Sequence, residues 1–145
     1  MAAVMSAAEM NAFLQKVFLE VAGEFHVDAV SDNTVTLRLL VQDRHLRPGG
    51  TVSGPAMFGL ADVTAYMVTL AQIGPRALAV TTNCSIDFMR KPVAGVDLIA
   101  EGRLLKLGKQ LSVSDVLIFS EGNDKPVARA SLTYAIPPQG VDLPE

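Results

Sequence analysis

Between Pro48 and Pro75 the chain carries one formally charged side chain, Asp62. Around it, SGPAMFGLADVTAYMVTLAQIGP is otherwise apolar or uncharged. An ionised carboxylate left unpaired in apolar surroundings is expensive. Asp62 must therefore reach solvent, be paired, or serve a chemical purpose. A carboxylate so placed can act as a general base on water or attack a carbonyl itself. Structural partners are also at hand: Arg47 for an ion pair, Thr64 or Tyr66 for a hydrogen bond. Ser53 suits a helix cap; as a nucleophile it would need a base, and no histidine stands at a suggestive spacing. His45 is expected at the surface and His26 in a strand without a chemical role.

The elements that must hold Asp62 are legible from periodicity. Pro55 suits the first position of a helix, where its missing N–H costs nothing, with Ser53 or Gly54 as the cap. That helix runs to about Ile73 and stops at Gly74-Pro75. It is apolar on nearly all sides, which predicts burial all round. Upstream, Ser6 and Glu9 form a capping-box pattern. Met10, Phe13, Leu14, Val17, Phe18 and Val21 then share one helical face, giving a helix of about 16 residues that ends at Gly23. This helix is expected to lie over a sheet edge.

Strands are expected at His26–Val30, Thr34–Val41, Leu78–Met89, Asp97–Leu107, Gln110–Ser120 and Val127–Ile136. In the fifth, Leu111, Val113, Leu117 and Phe119 share a face. In the third, Thr81 and Asn83 alternate with apolar neighbours and Cys84 falls on the opposite face as core packing. The last three strands are joined by short turns and predict an antiparallel meander. One sheet must wrap the apolar helix to cover it. The fold class is α+β, an antiparallel sheet around a long central helix with an extra N-terminal helix. Strand order stays open. Residues 1–145 form one domain with its core at about 24–137, the N-terminal helix at 6–22 and a loose tail at 138–145.

Composition narrows the function classes. Half of the residues are hydrophobic and the formal net charge is −3, with no basic run and no Trp. Nucleic acid is therefore a poor partner. The apolar surplus points to surface buried against another subunit. Cys84 is the only cysteine, which excludes an internal disulfide and cysteine-rich metal sites and fits a reducing compartment. MAAVMSAAEM lacks a basic n-region, and no uncharged apolar run of bilayer length is free of interrupting glycines or Asp62. The expectation is a cytoplasmic protein that is not a membrane protein.

Three segments together, HLRPGGTVSGPAMFGLAD, TTNCSIDFMRKP and RLLKLGKQLSVSDV, resemble the hotdog-fold acyl-CoA thioesterases, and within them the phenylacetate-degradation type. The similarity covers roughly residues 34–136. The family pattern reads approximately N-x-x-G-x-x-H-G-G, followed by a helix with an acidic residue. Gly50 matches the first glycine and Gly54 the second, and Asp62 falls nine residues after the histidine position. Thr81 matches the hydroxyl residue heading the next strand. Phe88-Met89-Arg90, with Lys91 inserted before Pro92, stands for the family's F-L-R-P. The chain departs at three places: Ser53 replaces the histidine, Pro55 the following glycine, and Arg47 the loop asparagine.

The resemblance implies hydrolysis of an acyl-CoA to free acid and coenzyme A. Asp62 would be base or nucleophile, with Ser53, Gly54 and Thr81 beside it in the chemistry. Gly54 and Ala56 would offer backbone donors to an oxyanion at the helix N-terminus. Arg47, Gly50, Ala56 and Asn83 would contact substrate, and Arg90, Lys91 and Lys109 the phosphates of coenzyme A. No metal or resident cofactor is implied. By analogy the site lies between subunits of a dimer or dimer of dimers, Asp62 facing Thr81 and Asn83 of the second chain. Two other readings compete: a non-catalytic acyl-CoA or acyl-carrier binder that has lost the family histidine and asparagine, and, further behind, a hydratase or dehydratase. The central helix has no histidine for the last.

Overall fold

The computed structural model describes residues 2–138. Helix α1 spans Ala7–Val17, and a 3-10 turn follows at Leu19–Val21. Strands β1 (Phe25–Ser31) and β2 (Thr34–Leu39) lead through a second 3-10 turn, Asp43–His45, to the central helix α2, Gly54–Ile73. Strands β3 (Val80–Phe88), β4 (Leu98–Leu107), β5 (Leu111–Ser120) and β6 (Pro126–Ala135) complete the chain. The six strands form one antiparallel sheet in the order β1-β2-β4-β5-β6-β3. The hotdog architecture, a sheet rolled around one long helix with an N-terminal helix added, is what the apolar helix demanded.

The capping box at Ser6 and Glu9 is present, with both bonds at 3.1 Å. Helix α1 nonetheless ends earlier than periodicity suggested, because Phe18 leaves helical backbone (φ −105°, ψ 64°). Its ring stands edge-on to Tyr66 of α2 at 6.0 Å, a contact a continued helix would not offer. At the other end, Arg76 donates to the carbonyls of Pro137 and Pro138 (2.6 and 2.9 Å), so the chain is tied down through 138. The rest of the expected loose tail lies outside the described residues.

Helix α2 has the length and composition of a membrane span, yet 72% of that stretch is buried within the protein. Its fit against β4 is close. A Cβ built on Gly102 would sit 2.6 Å from Thr64 Cγ2 and 2.7 Å from Val68 Cγ2. Only a residue without a side chain lets strand and helix meet there.

Two strands depart from their sequence pattern. In β5 the apolar face Leu111, Val113, Leu117 and Phe119 points away from α2, while Ser112, Ser114 and Ser120 are buried with Val116 and Ile118. Part of the reason is that Thr69 of α2 lies opposite Ser112, their hydroxyls 2.8 Å apart, so the helix itself offers polar partners. In β3 the register against β6 shifts between Thr81 and Asn83. The extra residue turns Thr81 and Cys84 toward the helix and Asn83 to the outer face.

Gly102→Ala should lower stability by about 1–3 kcal/mol through overpacking. Thermal unfolding checks this: a midpoint equal to that of the parent would contradict the close approach.

Candidate active site

Asp62 is half-buried on α2, one helical face away from the core. Its Oδ1 accepts from the Thr81 hydroxyl at 2.5 Å and from the Tyr134 hydroxyl at 2.8 Å. The Tyr134 hydroxyl also lies 2.9 Å from the Asp62 main-chain carbonyl. Thr81 and Tyr134 are direct neighbours in the β3–β6 ladder, so one cross-strand pair carries both donors. Among the described residues no hydrogen bond reaches Oδ2. The carboxylate is thus fixed through one oxygen and has the other left for water or substrate.

This arrangement corrects the expected partners. Neither Arg47, Thr64 nor Tyr66 holds Asp62: the hydroxyl of Thr64 donates to Leu60 O (2.6 Å) and that of Tyr66 to Ala77 O (2.8 Å). Thr81 meets Asp62 within one chain, not across an interface. Asn83 sits on the outer face, because the bulge reverses the alternation on which its placement rested. Cys84 faces inward near the carboxylate; burial first, and the charge of Asp62 second, push its thiol pKa up. Tyr134 was not singled out by sequence. Inward alternation along β6 (Ala128, Ala130, Leu132, Tyr134) could have placed it under the helix, but pairing it with Thr81 required the strand order.

Tyr134 stacks on Tyr66 at 5.8 Å, and Tyr66 in turn meets Phe13 and Phe18. Beside this aromatic group lies a cavity of about 330 Å³ whose lining includes Asp62, Thr81, Tyr134, Tyr66, Phe18 and Val17. Burial is the main reason the Tyr134 phenol pKa is pushed far above its ordinary value, and the Asp62 charge adds to it. Tyr134 therefore remains a donor at any working pH.

The N-terminus of α2 forms a second cluster. Ser53 caps it, its hydroxyl oxygen accepting from Ala56 N–H at 3.3 Å. Ala56 N–H is thereby occupied and Pro55 has none, which leaves Gly54 N–H free among the described residues. The Ser53 hydroxyl has no acceptor among the described residues. Phe88 covers this end, its ring 3.5 Å from where a Gly54 Cβ would stand.

The loop leading there is built tightly. Arg47 N–H donates to Thr51 O (2.9 Å) and Gly50 N–H to Arg47 O (3.0 Å), with Gly49 and Gly50 at φ +103° and +85°. Arg47 itself is exposed on this turn. His45, expected at the surface, is only 6% exposed. Its Nε2 lies 2.6 Å from Glu24 Oε1, its Nδ1 accepts from Gln42 N–H at 2.9 Å, and its carbonyl accepts from Ser53 N–H at 2.8 Å. With Nδ1 accepting, the ring proton sits on Nε2 and points at the carboxylate. His45 therefore ties the cap of α2 to the start of β1.

The two clusters are far apart in one chain. Eight residues separate Gly54 from Asp62, about 12 Å along a helix axis. They cannot serve one carbonyl unless two copies face each other. The expected cationic residues are split as well. Arg90, whose guanidinium donates to Pro126 O (2.8 Å), and Lys91 follow the end of β3 near the N-terminus of α2. Lys109 lies in the β4–β5 turn, at the end of the sheet where Leu111, Ala135 and Val80 align. Among the described residues no group of three or more His, Cys, Asp or Glu side chains is placed to hold a metal ion.

Comparison with known proteins follows this geometry. The model of the thioesterase superfamily matches residues 49–127, more than half of the chain. The structure is similar to that of a Silicibacter protein assigned as a thioesterase, 56% identical over 95% of this chain and 96% of that one, with a TM-score of 0.88. It is also similar to the Escherichia coli PaaI protein of the phenylacetic acid degradation operon, 23% identical over 88% and 90%, TM-score 0.71. A Thermoplasma acidophilum protein assigned as an esterase is 24% identical over 88% of this chain and 89% of its own. The chain belongs to the thioesterase superfamily. By family it is a thioester hydrolase, with the PaaI group among its structural neighbours.

Absorbance titration of the phenols tests the core of the site. The sequence holds two tyrosines, and Tyr134 should stay protonated well past the ordinary value of 10.0 until the protein unfolds. Because the folded value is raised, its contribution to stability is complete below pH 10 and declines as pH rises above it. In Tyr134→Phe the delayed ionisation should lose the amplitude of one phenol. Full titration of both phenols near pH 10 in folded protein would contradict the buried Tyr134–Asp62 contact.

Proposed function

We propose that this protein hydrolyses acyl-CoA thioesters at a site shared by two copies. The observation that carries the reading is Asp62, held through Oδ1 by Thr81 and Tyr134 at the mouth of an apolar cavity. Oδ2 takes a proton from water as the water oxygen adds to the thioester carbonyl carbon. Charge develops on the carbonyl oxygen, and Gly54 N–H with the Ser53 hydroxyl of the second copy receives it. The C–S bond then breaks, and the proton on Asp62 passes to the departing thiolate. Direct attack by Oδ2, giving an anhydride that water opens, uses the same groups.

Pairing of β3 with β3 of a second copy suits the composite site. Strand β3 is a sheet edge, and Val80, Phe88 and Met89 along and just beyond it are 55%, 52% and 42% exposed. Phe58 of α2 is also 40% exposed. An exposed apolar edge strand of this length seeks a partner. The acyl group enters the cavity beside Phe18 and Tyr66. Arg47, Arg90 and Lys91, near the N-terminus of α2, suit the phosphates of coenzyme A.

A second reading, an acyl thioester binder without turnover, draws on Ser53 and Arg47 in place of the family's histidine and asparagine. Thiol release from a panel of short, medium, long and aryl acyl-CoA esters separates the two. Turnover by the parent should fall by about 10²–10⁴ in Asp62→Asn and by about 10²–10³ in Ser53→Ala. Ser53→Ala should also cost about 1 kcal/mol of stability through the lost cap. Saturable binding of an ester with no thiol release would favour the binder. Asp62→Asn with full activity would sink the hydrolytic role of that residue.

A further inference from the structure

The cavity beside Asp62 has a second carboxylate in its wall. Among the described residues that line it, Glu20 and Asp62 carry the only formal charges, and Val17, Phe18, Tyr66 and Val80 supply apolar surface. Glu20 sits on the 3-10 turn Leu19–Val21, which begins where Phe18 leaves helical backbone. Its side chain makes no hydrogen bond or ion pair among the described residues. Glu20 is exposed, as a solvated carboxylate would be, yet it also borders the space next to Asp62. Holding the turn together does not require it: the main chain does that, Val21 N–H donating to Phe18 O (3.1 Å) and Ala22 N–H to Leu19 O (3.3 Å).

Two cations are next in sequence to lining residues, and neither joins the lining. Arg76 donates to the carbonyls of Pro137 and Pro138, and Lys16 is exposed on α1. The place of Glu20 along the cavity follows from a chain of contacts. Asp62 meets Tyr134 at 2.8 Å, Tyr134 stacks on Tyr66 at 5.8 Å, and Tyr66 meets Phe18 at 6.0 Å. The turn that carries Glu20 starts at the next residue. The two carboxylates are thus separated by the aromatic group.

We infer that Glu20 is a specificity-determining residue that turns away acyl groups ending in a carboxylate, so that the substrates are thioesters whose acyl group carries no negative charge. The inference rests on the hydrolytic reading of the site. With the thioester carbonyl at Asp62 Oδ2, the acyl chain lies along Tyr66 and Phe18 and its far end approaches Glu20. A distal methyl group there only displaces water. A distal carboxylate loses hydration against the rings, finds no cation in the wall, and meets a like charge. Rejection by an unpaired like charge is a recognised route to specificity where shape alone discriminates poorly.

Valeryl-CoA and glutaryl-CoA, equal in carbon chain and differing by a distal carboxylate, test it. The readout is the glutaryl-to-valeryl ratio of kcat/KM from thiol release. The ratio should be well below one in the parent, rise by about tenfold in Glu20→Gln, and rise further in Glu20→Lys. Added salt should raise the ratio in the parent more than in Glu20→Gln, because screening acts on the charge and not on the shape of the pocket. A ratio that is the same in the parent and both variants overturns the inference and leaves hydrolysis standing. If neither ester is cleaved, calorimetric binding of the uncleavable thioethers S-pentyl-CoA and S-(4-carboxybutyl)-CoA replaces turnover. Glu20→Gln narrowing the gap between the two dissociation constants supports the inference; an unchanged gap, or binding of neither, overturns it. Failure of every other acyl-CoA ester to release thiol sinks the hydrolytic reading separately.

Discussion

A helix of twenty residues with almost no polar face cannot stand in water, and the rest of this molecule follows from covering it. The sheet curls around α2, with β4 close enough that Gly102 is obligatory at the contact, and α1 with the residue that ends it closes part of what remains through Phe13 and Phe18. Within that shell one carboxylate interrupts the apolar surface. The shell answers it with two hydroxyls from a single cross-strand pair, Thr81 and Tyr134, rather than with a cation. The choice matters chemically. A bidentate cation would occupy both oxygens, whereas two donors on Oδ1 orient the group and leave Oδ2 without a hydrogen bond among the described residues.

Under the proposed mechanism the same helix supplies two functions at different points along its length. Its capped N-terminus offers Gly54 N–H and the positive end of its dipole, and Asp62 stands about two turns further on. Neither half is a complete site. Rigid spacing along one helix prevents the two from converging in a single chain, so the oligomer is part of the chemistry under the proposed mechanism. His45 and Glu24 contribute at a distance by fixing the loop whose last residue is the cap.

Much of this was legible in the sequence because it rests on local rules. The buried helix, its Ser53 cap, the Gly74-Pro75 stop and the odd position of Asp62 all follow from periodicity, capping and charge. What escaped depends on partners distant in sequence. His45 looked like a surface residue because its carboxylate lies 21 residues away at Glu24. Tyr134 is 72 residues from Asp62, and only the strand order brings it under the helix. Asn83 was placed beside Thr81 by simple alternation, which one bulge reverses. The face of β5 was read correctly as a set, but not its direction: periodicity says which residues share a side and is silent on which side meets the helix.

The central claim is that one active site draws Asp62 from one copy and Gly54 from another. Subunit complementation tests it most directly. Asp62→Asn and Gly54→Pro, the latter removing the free N–H and adding a ring in contact with Phe88, should each be nearly inactive alone. Mixed in equal amounts under conditions where mass spectrometry shows subunit exchange, they should regain about a quarter of the parent activity. Half of the dimers are then hybrid, each with one intact site. No recovery despite proven exchange would place both groups' roles within a single chain and contradict the account.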